Sequence, residues 1–154
     1  MPDMLVNLQL LPPLPAAQPG VTVRRANAYE ITPVLDFIRS NFAVAWADEV
    51  SVGFARLPIS VYIATSDGQV IGFCAHECTR RGFLGPMGVA ESHRKQRIGA
   101  GLLLASLHDL KAMGYAYAII GDVGPSEFYE RTVGATQIPN SEPGIYAGLL
   151  KSVD

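Results

Sequence analysis

Apolar and polar residues alternate along most of the chain in patterns that predict short strands and helices. Residues 21–25 alternate as a first strand does, and residues 28–41 carry apolar side chains at helical spacing. Residues 42–57 repeat the helical spacing until Pro58 ends it. We therefore expect a strand followed by two amphipathic helices in this first part of the chain.

The next segment predicts a group of antiparallel strands. Residues 60–64 and 69–77 are apolar runs joined by a turn that contains Asp67 and Gly68. An Asp-Gly pair between β-branched runs is a strong hairpin signal. Residues 83–90 follow after a further turn, so three successive antiparallel strands are expected.

The remaining patterns complete an α+β fold. The strand at 83–90 leads into a basic, glycine-bearing turn and a helix that continues to Met113. A compact apolar run at 115–121 predicts a buried strand beside it. A short helix over 126–133 and final strands at 135–138 and 144–150 follow. The expected architecture is one mostly antiparallel mixed sheet with helices on both faces.

The length of 154 residues fits a single domain by the rough prior of about 150 residues per domain. Residues 1–20 alternate leucines with prolines, which predicts an extended N-terminal arm with a short strand near residues 5–10. Residues 21–154 are then the single folded domain. The apolar arm and the final strands are compatible with a homodimer.

Composition narrows the partners and the compartment. The chain is 49% hydrophobic and 17% charged, which is typical of a globular core, and its net charge of −2 gives no nucleic-acid footprint. No apolar stretch reaches the ~18 residues that a membrane helix needs, and no secretory signal is visible. The only cysteines, Cys74 and Cys78, are expected to be reduced thiols without a metal. We therefore expect a cytoplasmic protein.

The turn after the strand at 83–90 is the first candidate for chemistry. A strand, a turn and a helix N-terminus bring backbone N–H groups together, an arrangement that binds phosphate. Arg94, Lys95 and Arg97 add positive charge to the same turn. Neither the P-loop pattern nor the dinucleotide-binding glycine pattern matches here. An anionic ligand at a different kind of turn is therefore expected.

The turn resembles the acetyl-CoA signature of the GNAT superfamily of N-acetyltransferases, which reads Arg or Gln, two residues, Gly, one residue, then Gly or Ala. Two registers compete in this sequence. One runs from Gln96 to Gly101 and fits every position, whereas the other runs from Arg94 to Gly99 and has Arg97 at the first glycine. We prefer the second, because it places Val89 five residues before the arginine, as family members usually do.

A second signature supports the same resemblance about 30 residues later. The segment Phe128-Tyr129-Glu130-Arg131, followed by Gly134-Ala135, is similar to the family's Phe-Tyr-Glu-Lys-x-Gly-Phe segment. Asp122 stands where the family often has asparagine, and Pro125 where it usually has alanine. The resemblance implies a GNAT-like fold with a splayed cofactor cleft, and acetyl-CoA as the acyl donor.

The resemblance also implies how the coenzyme binds. Pantetheine would lie along the strand at residues 87–89 like an extra strand, and the pyrophosphate would rest on the amides of residues 96–100. The implied cofactor-binding residues are Met87, Gly88, Val89, Arg94, Lys95, Gln96, Arg97, Ile98, Gly99, Ala100, Asp122 and Phe128.

Three residues receive catalytic roles. The resemblance implies the backbone N–H of Val89 as the oxyanion donor and Tyr129 as the general acid for the leaving sulfur. Glu77 is the candidate base. The alternatives for the base are water and the side chains of His76, Asp48, Glu49 and Asp122.

The function implied is transfer of an acetyl group from acetyl-CoA to a primary amine of a small molecule or peptide. The amine attacks the thioester directly in a ternary complex. One alternative is a non-catalytic acyl-CoA-binding sensor of the same fold, and another is O-acyl transfer or a longer acyl donor.

Overall fold

The computed structural model describes residues 1–151 and contains seven strands and four α-helices in that range. The strands are β1 (Met4–Asn7), β2 (Thr22–Arg25), β3 (Val61–Ser66), β4 (Gln69–His76), β5 (Phe83–Val89), β6 (Tyr117–Ile120) and β7 (Thr136–Gln137). The helices are α1 (Ile31–Asn41), α2 (Val44–Phe54), α3 (Ile98–Ala112) and α4 (Ser126–Val133). Residues 152–154 of the expected domain lie outside the described residues.

The strands form one sheet in the order β2-β3-β4-β5-β6-β1-β7. All neighbours are antiparallel except β5 and β6, which run parallel. The β5–β6 pairing is limited to Phe83 opposite Ile119 and Leu84 opposite Ile120. Beyond Leu84 the strand β5 continues to Val89, and no strand within residues 1–151 pairs with it on that side, so the sheet is split there. The mixed, mostly antiparallel sheet with a splayed cleft is confirmed.

Helices cover both faces of the sheet, as predicted. Successive residues of β4 point to opposite sides, so that Cys74 belongs to the core under α3 and α4 while Phe73 belongs to the core under α1 and α2. Both side chains are fully buried. The anion turn at the start of α3 and the two N-terminal helices therefore lie on opposite faces.

The N-terminal segment enters the sheet rather than running only along its surface. β1 pairs with β6 on one side and with β7 on the other. Met4, Val6 and Leu8 are fully buried, and a 3-10 turn at Leu8–Leu10 follows the strand. Residues 11–18 have no regular structure, and His108 Nε2 of α3 lies 2.8 Å from the Pro12 carbonyl oxygen.

The expectation of a final strand at 144–150 is wrong. The structure has a short 3-10 turn at Gly144–Tyr146 instead, and β7 spans two residues only. Gly144 and Gly148 adopt φ values of 54° and 72°, in the left-handed region that a strand cannot accommodate. The apolar residues of this segment suggested a strand, but its glycines turn the chain.

Cys74 and Cys78 are both free, as predicted. Burial raises the pKa of the Cys74 thiol to about 12 and that of Cys78 to about 11, so both stay protonated at neutral pH. Within residues 1–151, no helix has the length and apolar character required to span a bilayer.

Candidate active site

A cavity of about 1000 Å³ fills the split between β5 and β6. Leu84 and Ile120, the last paired residues of the two strands, lie at its inner end, where pairing stops. Its wall includes Trp46 of α2 from one face of the sheet and Ile98 of α3 from the other. The cleft therefore passes through the sheet and joins its two faces.

The anion turn forms one end of this cleft. Helix α3 begins at Ile98, and its first intrahelical acceptor is the Arg97 carbonyl, which receives the Gly101 N–H at 3.2 Å. The N–H groups of Ile98, Gly99 and Ala100 therefore precede the first helical hydrogen bond and are free to bind an anion. All three residues line the cleft.

The backbone of the turn favours the register in which Arg97 replaces a glycine. Arg97 caps α3 with φ of 59°, and Lys95 has φ of 65°, both in the left-handed region that glycine adopts most readily. Arg94 turns back onto the strand, where its Nε donates to the Val89 carbonyl at 3.2 Å. The signature glycine is therefore expected where Arg97 stands.

The N–H of Val89 faces the cleft. Ala90 donates its N–H to the Ile71 carbonyl of β4 at 2.8 Å, so the polar backbone groups of Ala90 point toward β4. Along a strand the backbone groups of adjacent residues point in opposite directions, and those of Val89 therefore point away from β4. The Arg94 contact to the Val89 carbonyl fits this orientation. An N–H donor is thus available where β5 borders the split.

An aromatic column supports this part of β5 from the α2 face. The ring of Phe42 lies over Gly88, where any Cβ atom would collide with it. Trp46 stacks on Phe42 with ring centroids 5.4 Å apart, and Phe42 meets the buried Phe73 edge-on at 5.6 Å. Glycine at position 88 therefore lets the column pack directly against the strand.

Tyr129 projects from α4 into the cleft from the side of α3. The side chain is only 7% exposed and packs edge-on against Phe128 at 5.1 Å. Burial raises the pKa of its hydroxyl well above the usual value near 10. The phenol is therefore protonated at neutral pH and can act as a proton donor.

The cleft brings together most of the residues singled out from the sequence. Eleven of the twelve expected coenzyme-binding residues line it, together with Tyr129. Gln96 is exposed and does not line the cavity, although its neighbours on both sides do. The signatures in the sequence therefore mark one continuous surface.

Glu77 is not brought to the cleft. Its carboxylate accepts hydrogen bonds from the Tyr115 hydroxyl at 3.1 Å and the Gly82 N–H, and it pairs with Arg56 at 3.3 Å. The side chain is 5% exposed and faces a separate surface depression beside α2. Its contacts hold the turn between β4 and β5.

Sequence reasoning missed Tyr146. A side chain at Gly121, which lines the cleft after β6, would collide with the Tyr146 hydroxyl. Burial raises the pKa of Tyr146 to about 12, and the charges of Glu49, Asp3 and Asp122 add to the shift. The pair Pro143-Gly144 was the signal in the sequence that Tyr146 belongs to a turn and not to a strand.

Comparisons with known proteins agree with this arrangement. Residues 58–132, slightly less than half of the chain, match the family model of an acetyltransferase (GNAT) domain. No curated protein sequence matches the chain significantly.

Solved structures extend the likeness to most of the chain. A glucosamine N-acetyltransferase region of a fungal multi-domain GH3 β-N-acetylglucosaminidase superposes with a TM-score of 0.73 at 18% identity, covering 89% of this chain and 19% of that one. A GCN5-related N-acetyltransferase from Sphaerobacter thermophilus superposes with a TM-score of 0.72 at 19% identity, covering 89% of this chain and 48% of that one. The GNAT family N-acetyltransferase YhbS from Escherichia coli, in complex with CoA, superposes with a TM-score of 0.60 at 24% identity, covering 76% of this chain and 71% of that one.

The chain spans about a fifth of the length of the fungal protein and about half of the length of the Sphaerobacter thermophilus protein. Most of this chain therefore shares the fold of these structures. The resemblance to the GNAT superfamily is confirmed, by the fold across most of the chain and by the family model over residues 58–132.

Proposed function

We propose that this protein transfers an acetyl group from acetyl-CoA to a primary amine by direct attack in a ternary complex. One observation carries the proposal. A single cleft connects an anion-binding turn to a buried tyrosine hydroxyl and a free backbone N–H on β5. These are the groups that binding a CoA thioester and breaking it require.

The coenzyme would enter from the α3 face. Its pyrophosphate would accept hydrogen bonds from the amides at the start of α3, while Arg94, Lys95 and Arg97 supply positive charge. Pantetheine would follow β5 past Met87 and Val89, whose unpaired edge offers donors and acceptors in place of a neighbouring strand. The thioester then lies in the split, within reach of an acceptor from the α2 face.

The chemical step uses few groups. The neutral amine forms a C–N bond to the thioester carbonyl, and the Val89 N–H stabilises the negative charge that develops on the carbonyl oxygen. As the C–S bond breaks, the thiolate of CoA takes a proton from Tyr129, and the proton that the attacking nitrogen loses returns through water to the Tyr129 phenolate. The products are the acetylated amine and CoA. An amine that arrives as an ammonium loses its proton to water at the open end of the cleft.

The assignment of Tyr129 is tested by Tyr129→Phe, which removes only the hydroxyl. We expect kcat to fall by about 10²-fold, within the usual range for general acid catalysis, while the Kd of acetyl-CoA changes by less than about twofold. Steady-state thiol release and calorimetric titration of acetyl-CoA measure the two quantities. Equal turnover of variant and wild type would remove the assignment.

A non-catalytic acyl-CoA sensor is the second candidate, because Arg97 and Asp122 depart from the family signatures. The same assay separates the two functions. Thiol release that depends on an added amine, tested with small amines, peptides and amino sugars, supports the enzyme. Tight binding of acetyl-CoA without release on any acceptor would establish the sensor instead.

A further inference from the structure

The opening of the cleft on the α2 face has features that select among amines. We call it the acceptor mouth and define it by Trp46, Glu49, Asp122 and Tyr146. Trp46 and Asp122 line the cleft itself. Tyr146 covers Gly121, which precedes Asp122 and lines the same cleft. The negative charges of Glu49 and Asp122 add to the rise in the pKa of Tyr146.

Trp46 offers a rigid aromatic wall at this mouth. One side of its ring stacks on Phe42 at an angle of 21°, and its centroid lies 6.3 Å from that of Phe73 in an edge-to-face arrangement. The residue nevertheless remains 36% exposed. Because its neighbours fix the indole, its free surface can receive a flat apolar group with little loss of side-chain entropy.

Glu49 gives the same mouth a negative charge. It lies one turn after Trp46 on α2, so both side chains occupy the same side of the helix. Its carboxylate accepts a hydrogen bond from the Thr79 hydroxyl, which fixes its position. Asp122 contributes a second carboxylate, which also contacts the amino group of Met1 at 3.2 Å. The positive charge of Arg80, whose guanidinium donates to the Thr79 carbonyl at 2.7 Å, acts in the opposite direction on the pKa of Tyr146.

We propose that the acceptor mouth selects a primary amine that arrives as a cation and carries a flat apolar body. The body packs against Trp46, and Glu49 favours the ammonium while it disfavours an amine with its own carboxylate. This inference rests on the proposed acetyl transfer and names the acceptor class for it. Trp46 and Glu49 are specificity-determining residues in this proposal.

Tryptamine and tryptophan form a matched pair that differs by one carboxylate, and n-butylamine lacks the flat body. We expect kcat/KM for tryptamine to exceed that for tryptophan and for n-butylamine by about tenfold or more, which corresponds to about 1.4 kcal/mol. Equal values for tryptamine and tryptophan overturn the charge selection. Equal values for tryptamine and n-butylamine overturn the aromatic wall.

Variants connect these preferences to the two residues. Glu49→Gln should reduce the tryptamine-to-tryptophan ratio by about fivefold, since a single charge near a surface contributes on the order of 1 kcal/mol. Asp48→Asn is the matched control, because it removes the same charge from an exposed position on the same helix, and it should leave the ratio unchanged. The ratio is measured within each variant, so a partial loss of folded protein cancels. An unchanged ratio in Glu49→Gln overturns the role of Glu49.

Trp46→Ala should raise KM for tryptamine about tenfold without changing the Kd of acetyl-CoA, and Trp46→Phe should restore most of the loss. An unchanged KM in Trp46→Ala overturns the wall. If no amine is acetylated, the proposed function fails. Titration of tryptamine and tryptophan into the CoA-bound protein then still tests the charge selection. Equal Kd values for the two amines would overturn it.

Discussion

Arg97 shows how a single residue can depart from a signature while the backbone keeps the signature's geometry. Its φ of 59° lies in the left-handed region, where a Cβ atom crowds the following carbonyl. The helix start that this conformation creates is the one that leaves three amides free in the cleft. The side chain that glycine lacks adds positive charge at the same position.

Replacing Arg97 separates conformation from charge. We expect Arg97→Gly to be more stable than Arg97→Ala by about 1 kcal/mol, because only glycine adopts φ near 59° without strain. Both variants lose the same charge, so both should bind acetyl-CoA several-fold more weakly than the wild type. Urea denaturation and calorimetric titration provide the measurements. Equal stability of the two variants would show that the turn relaxes when the arginine is removed.

At the scale of elements, a partly buried polar network fixes α3 against the sheet. Asp109 of α3 receives two hydrogen bonds from Arg25 of β2, each 3.0 Å long, and lies 2.8 Å from His76 Nε2 of β4. Tyr62 of β3 stacks on His76 and lies under the Arg25 guanidinium. The helix that carries the anion turn is thereby tied to three strands, which fixes its position relative to β5.

The network makes stability depend on pH through His76. Its ring is fully buried, and burial lowers its pKa below the ordinary value of 6.5. The unfolded chain therefore binds a proton below pH 6.5 that the folded chain does not, and stability is lost as the pH falls from 6.5 toward the lowered pKa. This residue contributes a slope of up to about 1.4 kcal/mol per pH unit.

Urea denaturation of the wild type and of His76→Gln at several pH values between 7.5 and 5 tests whether His76 causes this loss of stability. The variant can be less stable overall, but we expect a flatter dependence on pH, because His93 and His108 remain in both proteins. Parallel curves for the two proteins would contradict the expectation and assign the pH dependence to other groups.

At the scale of the whole molecule, the N-terminal strand joins both ends of the chain into one sheet. β1 separates β6 from β7, and together with the 3-10 turn that follows it places three fully buried side chains in the core under α3. Because β6 forms one wall of the cleft, the first ten residues also support the site.

Leu8 and Leu10 form a matched pair for testing this role, since they belong to the same 3-10 turn. Leu8 is fully buried and Leu10 is 76% exposed. We expect Leu8→Ala to lower the free energy of unfolding by about 2–5 kcal/mol and Leu10→Ala to change it by less than about 0.5 kcal/mol. Chemical denaturation measures both, and similar small losses would show that the turn after β1 contributes little to the core.

The sequence predicted the fold best where its signals are local. The hairpin at Asp67-Gly68, the two amphipathic helices and the anion turn each depend on neighbouring residues, and the structure has all of them. The candidate residues of the turn and of α4 were recognisable because each signature lies within a few positions of the chain. The final segment was mispredicted, because its apolar residues outweighed Gly144 and Gly148.

The sequence by itself determined the order of most elements, the basic turn and the tyrosine that follows it, since periodicity and short signatures carry this information. Only the tertiary structure decided which residues meet. It placed β1 between β6 and β7, held Glu77 away from the cleft, put Trp46 in the wall of the cleft and laid the Tyr146 hydroxyl over Gly121. Some of these contacts join residues that lie more than a hundred positions apart, such as Met4 and Gln137, and packing between distant elements leaves no local pattern from which they can be predicted.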